Sequence, residues 1–137
     1  VFGQWVTADA MGREELRAVL AAFARSFPYF LAIEPTPGDL FFVGSPSPLV
    51  LDRARMSAAF GDPRIAPDLI RVDFASPQDL YATVVGHSGT ITPLLDGAVP
   101  NRDDNVAVEF SGPLAFAQIL QGRRSDPVAW LRGGGGR

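Results

Sequence analysis

The chain has no cysteine and no lysine, and its one histidine is His87. Without cysteine there is no disulfide, no thiolate nucleophile and no sulfur-ligated metal. One imidazole cannot build a multi-histidine metal centre, and it argues against a histidine-based triad. Without lysine there is neither a Schiff-base amine nor the lysine of a P-loop. Every basic residue is Arg, a bias read as that of a GC-rich, bacterial genome. Positive charge is not in excess either: 12 basic residues face 15 acidic ones, for a net charge of −3. A nucleic-acid binder presents a basic face, so no nucleic-acid partner is expected. No apolar run approaches the ~20 residues a helix needs to cross a bilayer. No charged-then-apolar opening marks a signal peptide.

What is present suits one globular domain. The 137 residues are 47% hydrophobic and 20% charged, enough to bury a core without a metal or disulfide staple. The text opens at Val1 in mid-pattern, which reads as an excised piece or a processed product.

Val1 to Val6 is short, apolar and partly β-branched, and predicts a strand. Arg13 to Phe27 is the clearest helix. Leu16, Val19, Leu20, Phe23 and Phe27 form its apolar stripe, Gly12 or Asp9 caps it, and Pro28 ends it. Tyr29–Ile33 and Leu40–Val43 predict two strands of an antiparallel hairpin, joined by the turn-forming Pro35-Thr36-Pro37-Gly38-Asp39. Glu34 and Asp39 flank that turn and read as solvated. The aromatic residues Tyr29, Phe30, Phe41 and Phe42 suit a core. Strand alternation sends them to both faces, however, and in a fragment one face lacks its natural cover.

The remainder is helical in character. Asp52–Phe60 predicts a helix with Leu51, Ala54, Ala58 and Ala59 as core positions, and Arg64–Ile70 a short one. Ser76-Pro77-Gln78-Asp79 is a helix start, with the helix running through Leu80, Val84 and Val85 to a stop near Gly86. His87, after that stop, reads as a surface or C-cap residue. Thr90–Leu95 predicts another helical turn or two. Val106–Phe110 predicts a short strand or extended segment, and Pro113–Gln121 a last helix. The expected organisation is an α/β core portion over residues 1–46, a helical appendage over 47–122 with a polar loop at 101–105, and a flexible Arg/Gly tail over 123–137.

Three segments carry a family resemblance. Val1-Phe2-Gly3-Gln4-Trp5 with the helix that follows, then Gly38-Asp39-Leu40-Phe41-Phe42-Val43-Gly44-Ser45, and finally Pro100-Asn101-Arg102-Asp103-Asp104-Asn105-Val106-Ala107-Val108-Glu109-Phe110 stand in the order and spacing of spermidine-synthase-like proteins. Arg102 and Val106 depart from the family's Thr and Pro. The similarity spans residues 1 to about 113 and resembles the carboxyl-terminal part of a spermidine/spermine synthase. It implies part of a methyltransferase-like Rossmann fold: a small mixed sheet of about three strands in the order 5-7-6, with the seventh strand antiparallel between the other two, followed by the helical appendage.

The resemblance also implies what lies elsewhere in such a fold. The Gly-rich first turn, the acid of the second strand and the catalytic aspartate after the fourth strand have no counterpart here. The glycine run at 133–136 follows no strand and is no phosphate cradle. The implied parent transfers an aminopropyl group from decarboxylated S-adenosylmethionine to a small diamine in polyamine biosynthesis. It is cytoplasmic, and many relatives are fused to membrane-spanning segments. This chain alone is expected to hold no cofactor, no metal and no catalytic residue.

Gln4 reads two ways. By resemblance it lies beside the amine-substrate pocket of the parent; as a residue on a strand it is a polar group on an exposed face. Asn101, Asp103 and Asp104 are the other substrate-binding candidates. The aspartates are adjacent in an Asx-rich loop and Asn101 is placed to cap it, so turn formation is the competing role. Trp5 reads as packing. A non-catalytic alternative is an interaction or dimerisation module, a homodimer pairing through the unpaired edge of residues 1–6. A stand-alone ligand-binding domain would need an apolar pocket with convergent polar groups, of which the sequence carries no sign.

Overall fold

The computed structural model describes residues 1–105, 107–122 and 126–133. Strand β1 (Phe2–Thr7) leads through a helical turn at Ala8–Ala10 into helix α1 (Arg13–Ser26). Gly12 is the N-cap of α1, Glu14 and Glu15 lie in its first turn and Arg25 in its last, which matches the helix dipole. The apolar stripe buries Leu16, Leu20 and Phe23, while Val19 and Phe27 pack partly buried at its margin.

Strands β2 (Tyr29–Thr36) and β3 (Asp39–Ser45) form the expected hairpin, with Thr36 paired to Asp39. Pro35 and Thr36, assigned to the turn by composition, belong to β2. The turn is tightened by Gly38, whose φ of +85° suits glycine, and a Cβ there would lie 2.1 Å from the Asp9 carboxylate. The Ala8 N–H donates to the Gly38 carbonyl at 2.7 Å, tying the end of β1 to the hairpin.

Strand β4 (Val84–His87) completes a sheet of order β1-β3-β2-β4, antiparallel at every pairing. The middle position of β3 between β1 and β2 is the expected one. The expected mixed sheet of three strands is corrected to four antiparallel strands. The extra strand has a local cause. Helix α4 (Pro77–Ala82) keeps its predicted start, where Ser76 and Asp79 form a capping box, but ends at Ala82. The Thr83 hydroxyl donates to the Leu80 carbonyl at 2.7 Å. The β-branched Val84 and Val85 then join the free edge of β2, where they fit better than in a helix.

One face of the sheet carries Val6, Leu40, Phe42, Phe30 and Ala32, all buried in one core with Leu16, Leu20 and Phe23 of α1. Phe23 is the hub, with ring centroids 5.4 Å from Phe42, 5.9 Å from Phe30 and 4.9 Å from Phe27. The other face is less covered: Trp5 is 65% exposed, and Tyr29 and Phe41 are each 39% exposed.

Helices α2 (Arg53–Gly61) and α3 (Ala66–Arg71) bury no residue. The expected core positions Leu51, Ala54 and Ala58 are exposed, and Ala59 only half-buried. The correction follows from composition: α2 has no apolar stripe wide enough to hold a core. Helix α5 (Ser88–Ile91) and the turn Thr92–Leu95 do reach the core, through Ile91 and Leu95.

Helix α6 (Ala107–Leu120) replaces the strand expected over Val106–Phe110, of which Val106 lies outside the described residues. The expected tail is also corrected where it is described. Asp126 accepts from the Val128 and Ala129 N–H groups and leads into helix α7 (Ala129–Gly133); Val128, just before the helix, and Leu131 within it are buried. The rest of that tail, 123–125 and 134–137, lies outside the described residues. No helix among the described residues is long and apolar enough to cross a membrane.

Candidate functional site

Two of the four candidate residues come together. Alternation along β1 puts Phe2, Gln4 and Val6 on the side facing α1. Beside them opens a cleft of about 430 Å³. Phe2, Phe23 and Phe27 supply its aromatic wall, Val19 and Ala22 its aliphatic side, and Gln4, Ser26 and Asn101 its polar groups. The wall is ordered by stacking, with the Phe2 and Phe27 rings 5.3 Å apart and 10° from parallel. Gly44 lets them sit so low on the sheet: a Cβ there would lie 2.5 Å from the Phe27 ring and 2.8 Å from the Phe23 ring.

Asn101 reaches the cleft because its loop is pinned to α1. Its N–H donates to the Ala18 carbonyl at 3.0 Å, and its side-chain oxygen accepts from the Val108 N–H at 3.4 Å. Asn105 closes the loop, accepting from the Arg102 N–H at 2.8 Å and donating to the Pro100 carbonyl at 2.7 Å. Asp103 and Asp104 do not line the cleft. Both are exposed, and Asp104 pairs with Arg102 at 3.2 Å. The loop therefore performs the turn-forming role that its composition suggests, and it delivers Asn101 alone.

The cleft is lined by apolar and uncharged polar side chains. Such a set can hold an alkyl chain, and its ring faces and amide oxygens can accept an ammonium. None of the described residues that line the cleft is an acid or a base that could move a proton. Among the described residues no cluster of His, Asp or Glu could hold a metal ion. The cleft lies along β1, an end strand of the sheet.

Two other polar residues differ from their sequence reading. Glu34, expected to be solvated, is 7% exposed at its side chain and is gripped by Arg132. The Arg132 Nε donates to one carboxylate oxygen at 2.8 Å, its Nη2 donates to the other, and that second oxygen also accepts from the Gly38 N–H at 3.1 Å. Glu34, and then Asp126, raise the Arg132 guanidinium above its ordinary value. Burial pushes the Asp126 carboxyl up, but the Val128 N–H, Arg132 and the Ala129 N–H together hold it below its ordinary value. These residues lie 98 apart in the chain, so no local pattern could have linked Glu34 to Arg132. His87 is exposed, as expected, but it opens α5 as its N-cap instead of closing a helix: its Nδ1 accepts from the Gly89 N–H at 3.1 Å.

No family model matches the chain, and neither a curated protein nor a solved structure is found to be similar to it.

Proposed function

We propose that this chain is the carboxyl-terminal part of a spermidine-synthase-like aminopropyltransferase, and that its cleft forms one wall of the parent's amine-substrate pocket. The observation that carries the reading is the sheet order. β3 returns antiparallel between β1 and β2, the arrangement implied for the seventh strand between the fifth and sixth of a methyltransferase-like Rossmann core. In that frame the outer edge of β1 is where the fourth strand pairs. The cleft beside it is uncharged and aromatic, which suits the methylene chain of a diamine. Gln4 and Asn101 are the residues assigned to orient the amine. The proton-accepting aspartate and the adenosyl site belong to the other half, so the chain alone is proposed to be inactive.

The coding sequence immediately upstream of Val1 tests this directly. An in-frame Gly-rich strand–turn–helix followed by an Asp-bearing loop supports the reading. A start codon directly before Val1 contradicts it.

One observation favours the alternative of an interaction module pairing through its strand edge. β1 carries no charged residue and pairs with β3 over six consecutive positions without a register shift. An edge that long and uncharged is open to another strand. Gel filtration of a Gly3→Pro variant addresses it: loss of self-association with retained helical signal supports edge pairing, and an unchanged elution volume opposes it.

A further inference from the structure

Helix α6 shows solvent a surface that a solvated helix rarely has. Phe110 is 75% exposed, Leu114 67%, Phe116 52% and Leu120 74%. At about 100° per residue, Phe110 and Leu114 form one ridge and Phe116 and Leu120 a second. Pro113 and Ala117, both exposed, fall in the valley between them. Val108 and Ser111, on the opposite side, line a cleft shared with Glu14, Glu15 and Ala18 of α1. The arc facing away from the protein is thus two apolar ridges with a groove of small residues, and Glu109 at its amino end is its one charge.

We propose that α6 pairs antiparallel with α6 of a second copy of this chain. Shape argues for it: the Phe116–Leu120 ridge of one helix fits the Pro113–Ala117 valley of the other, flanked by Leu114, and a two-fold axis near Ala117 satisfies both copies at once. Area argues for it as well. Four large side chains exposed to this degree present roughly 500 Å² per copy, so pairing can remove up to about 1,000 Å² from water, which reaches the lower bound for a specific interface. A patch of that size is at the upper end of what a monomer leaves exposed. Orientation follows from charge. Antiparallel packing puts the two Glu109 carboxylates at opposite ends and opposes the helix dipoles, whereas parallel packing brings both together. A lipid surface fits less well. α6 has no basic residue, and the one in the loop before it, Arg102, is paired with Asp104, whereas interfacial helices carry a basic face.

The absence of cysteine from the chain makes the test clean. Sedimentation of the full chain over a concentration series, and oxidation of an Ala117→Cys variant, are the two measurements. The expected result is a reversible dimer that Leu114→Glu weakens at least ~10-fold with an unchanged circular dichroism spectrum, and a disulfide-linked dimer from A117C. Leu114 is exposed in the protomer, so the charge is not placed in the core. A monomer at every concentration overturns the proposal, as does a dimer indifferent to L114E. A monomer that instead co-sediments with phosphatidylglycerol vesicles overturns it in favour of a membrane surface. Persistence of the dimer in L114E, with its loss in Gly3→Pro, assigns association to the edge of β1 instead.

Discussion

Gly38 and Phe42 show how single residues hold this structure. Gly38 sits at φ +85° against the Asp9 carboxylate, so any side chain there meets both backbone strain and a collision. Gly38→Ala is expected to lose about 1–3 kcal/mol, read as a lowered urea midpoint with unchanged slope. Phe42 is fully buried and stands against Phe23. Phe42→Ala removes the sheet's central contact with α1 and is expected to cost about 3–5 kcal/mol, read by thermal unfolding. The candidate site residues were legible to different degrees. Gln4 and Asn101 were marked by the segments that contain them, and they meet in one cleft although nearly a hundred positions separate them. Asp103 and Asp104 carry the same segment signal yet point to solvent, because adjacent loop residues close a turn rather than converge. The aromatic wall was visible as apolar periodicity, but nothing local indicated that Phe2 would stack on Phe27.

Elements were legible where their own residues decide them. β1, α1 and the β2–β3 hairpin follow from alternation, a helical stripe and a Pro-Gly turn, and each appears within a few residues of its expected bounds. The failures are elements decided by distant partners. β4 exists because β2 offers an edge, so Val84 and Val85 left the helix their neighbours had begun. α7 exists because Val128 and Leu131 find the core and Arg132 finds Glu34. That latch makes a pH prediction. The Asp126 carboxyl is held below its ordinary 3.8 in the folded chain, so its contribution is present above that value and lost as pH falls through the folded one. In acid below about pH 4, α7 is expected to release before the sheet does. With Trp5→Phe leaving Trp130 as the single indole, the measurement is a fluorescence shift of Trp130 that precedes loss of circular dichroism. Simultaneous loss of both signals would show that α7 is not a separable latch.

The whole molecule is a sheet with one face closed and one side open. α1 seals the inner face through Phe23, while Trp5, Tyr29 and Phe41 leave the outer face partly bare, and β1 ends the sheet. Antiparallel sheets commonly pack one face and leave the other to water, so what sets this open face apart is its aromatic content. The cleft has the aromatic and amide groups to hold an alkyl amine, yet none of the described residues lining it carries a titratable group that could deprotonate one. Isothermal titration of the chain with methylthioadenosine probes this account most directly. No saturable heat is predicted, because on the proposed reading the adenosyl-binding turn and acid belong to the other half of the parent. One-to-one binding would contradict it, by showing that the chain carries a complete adenosyl site of its own.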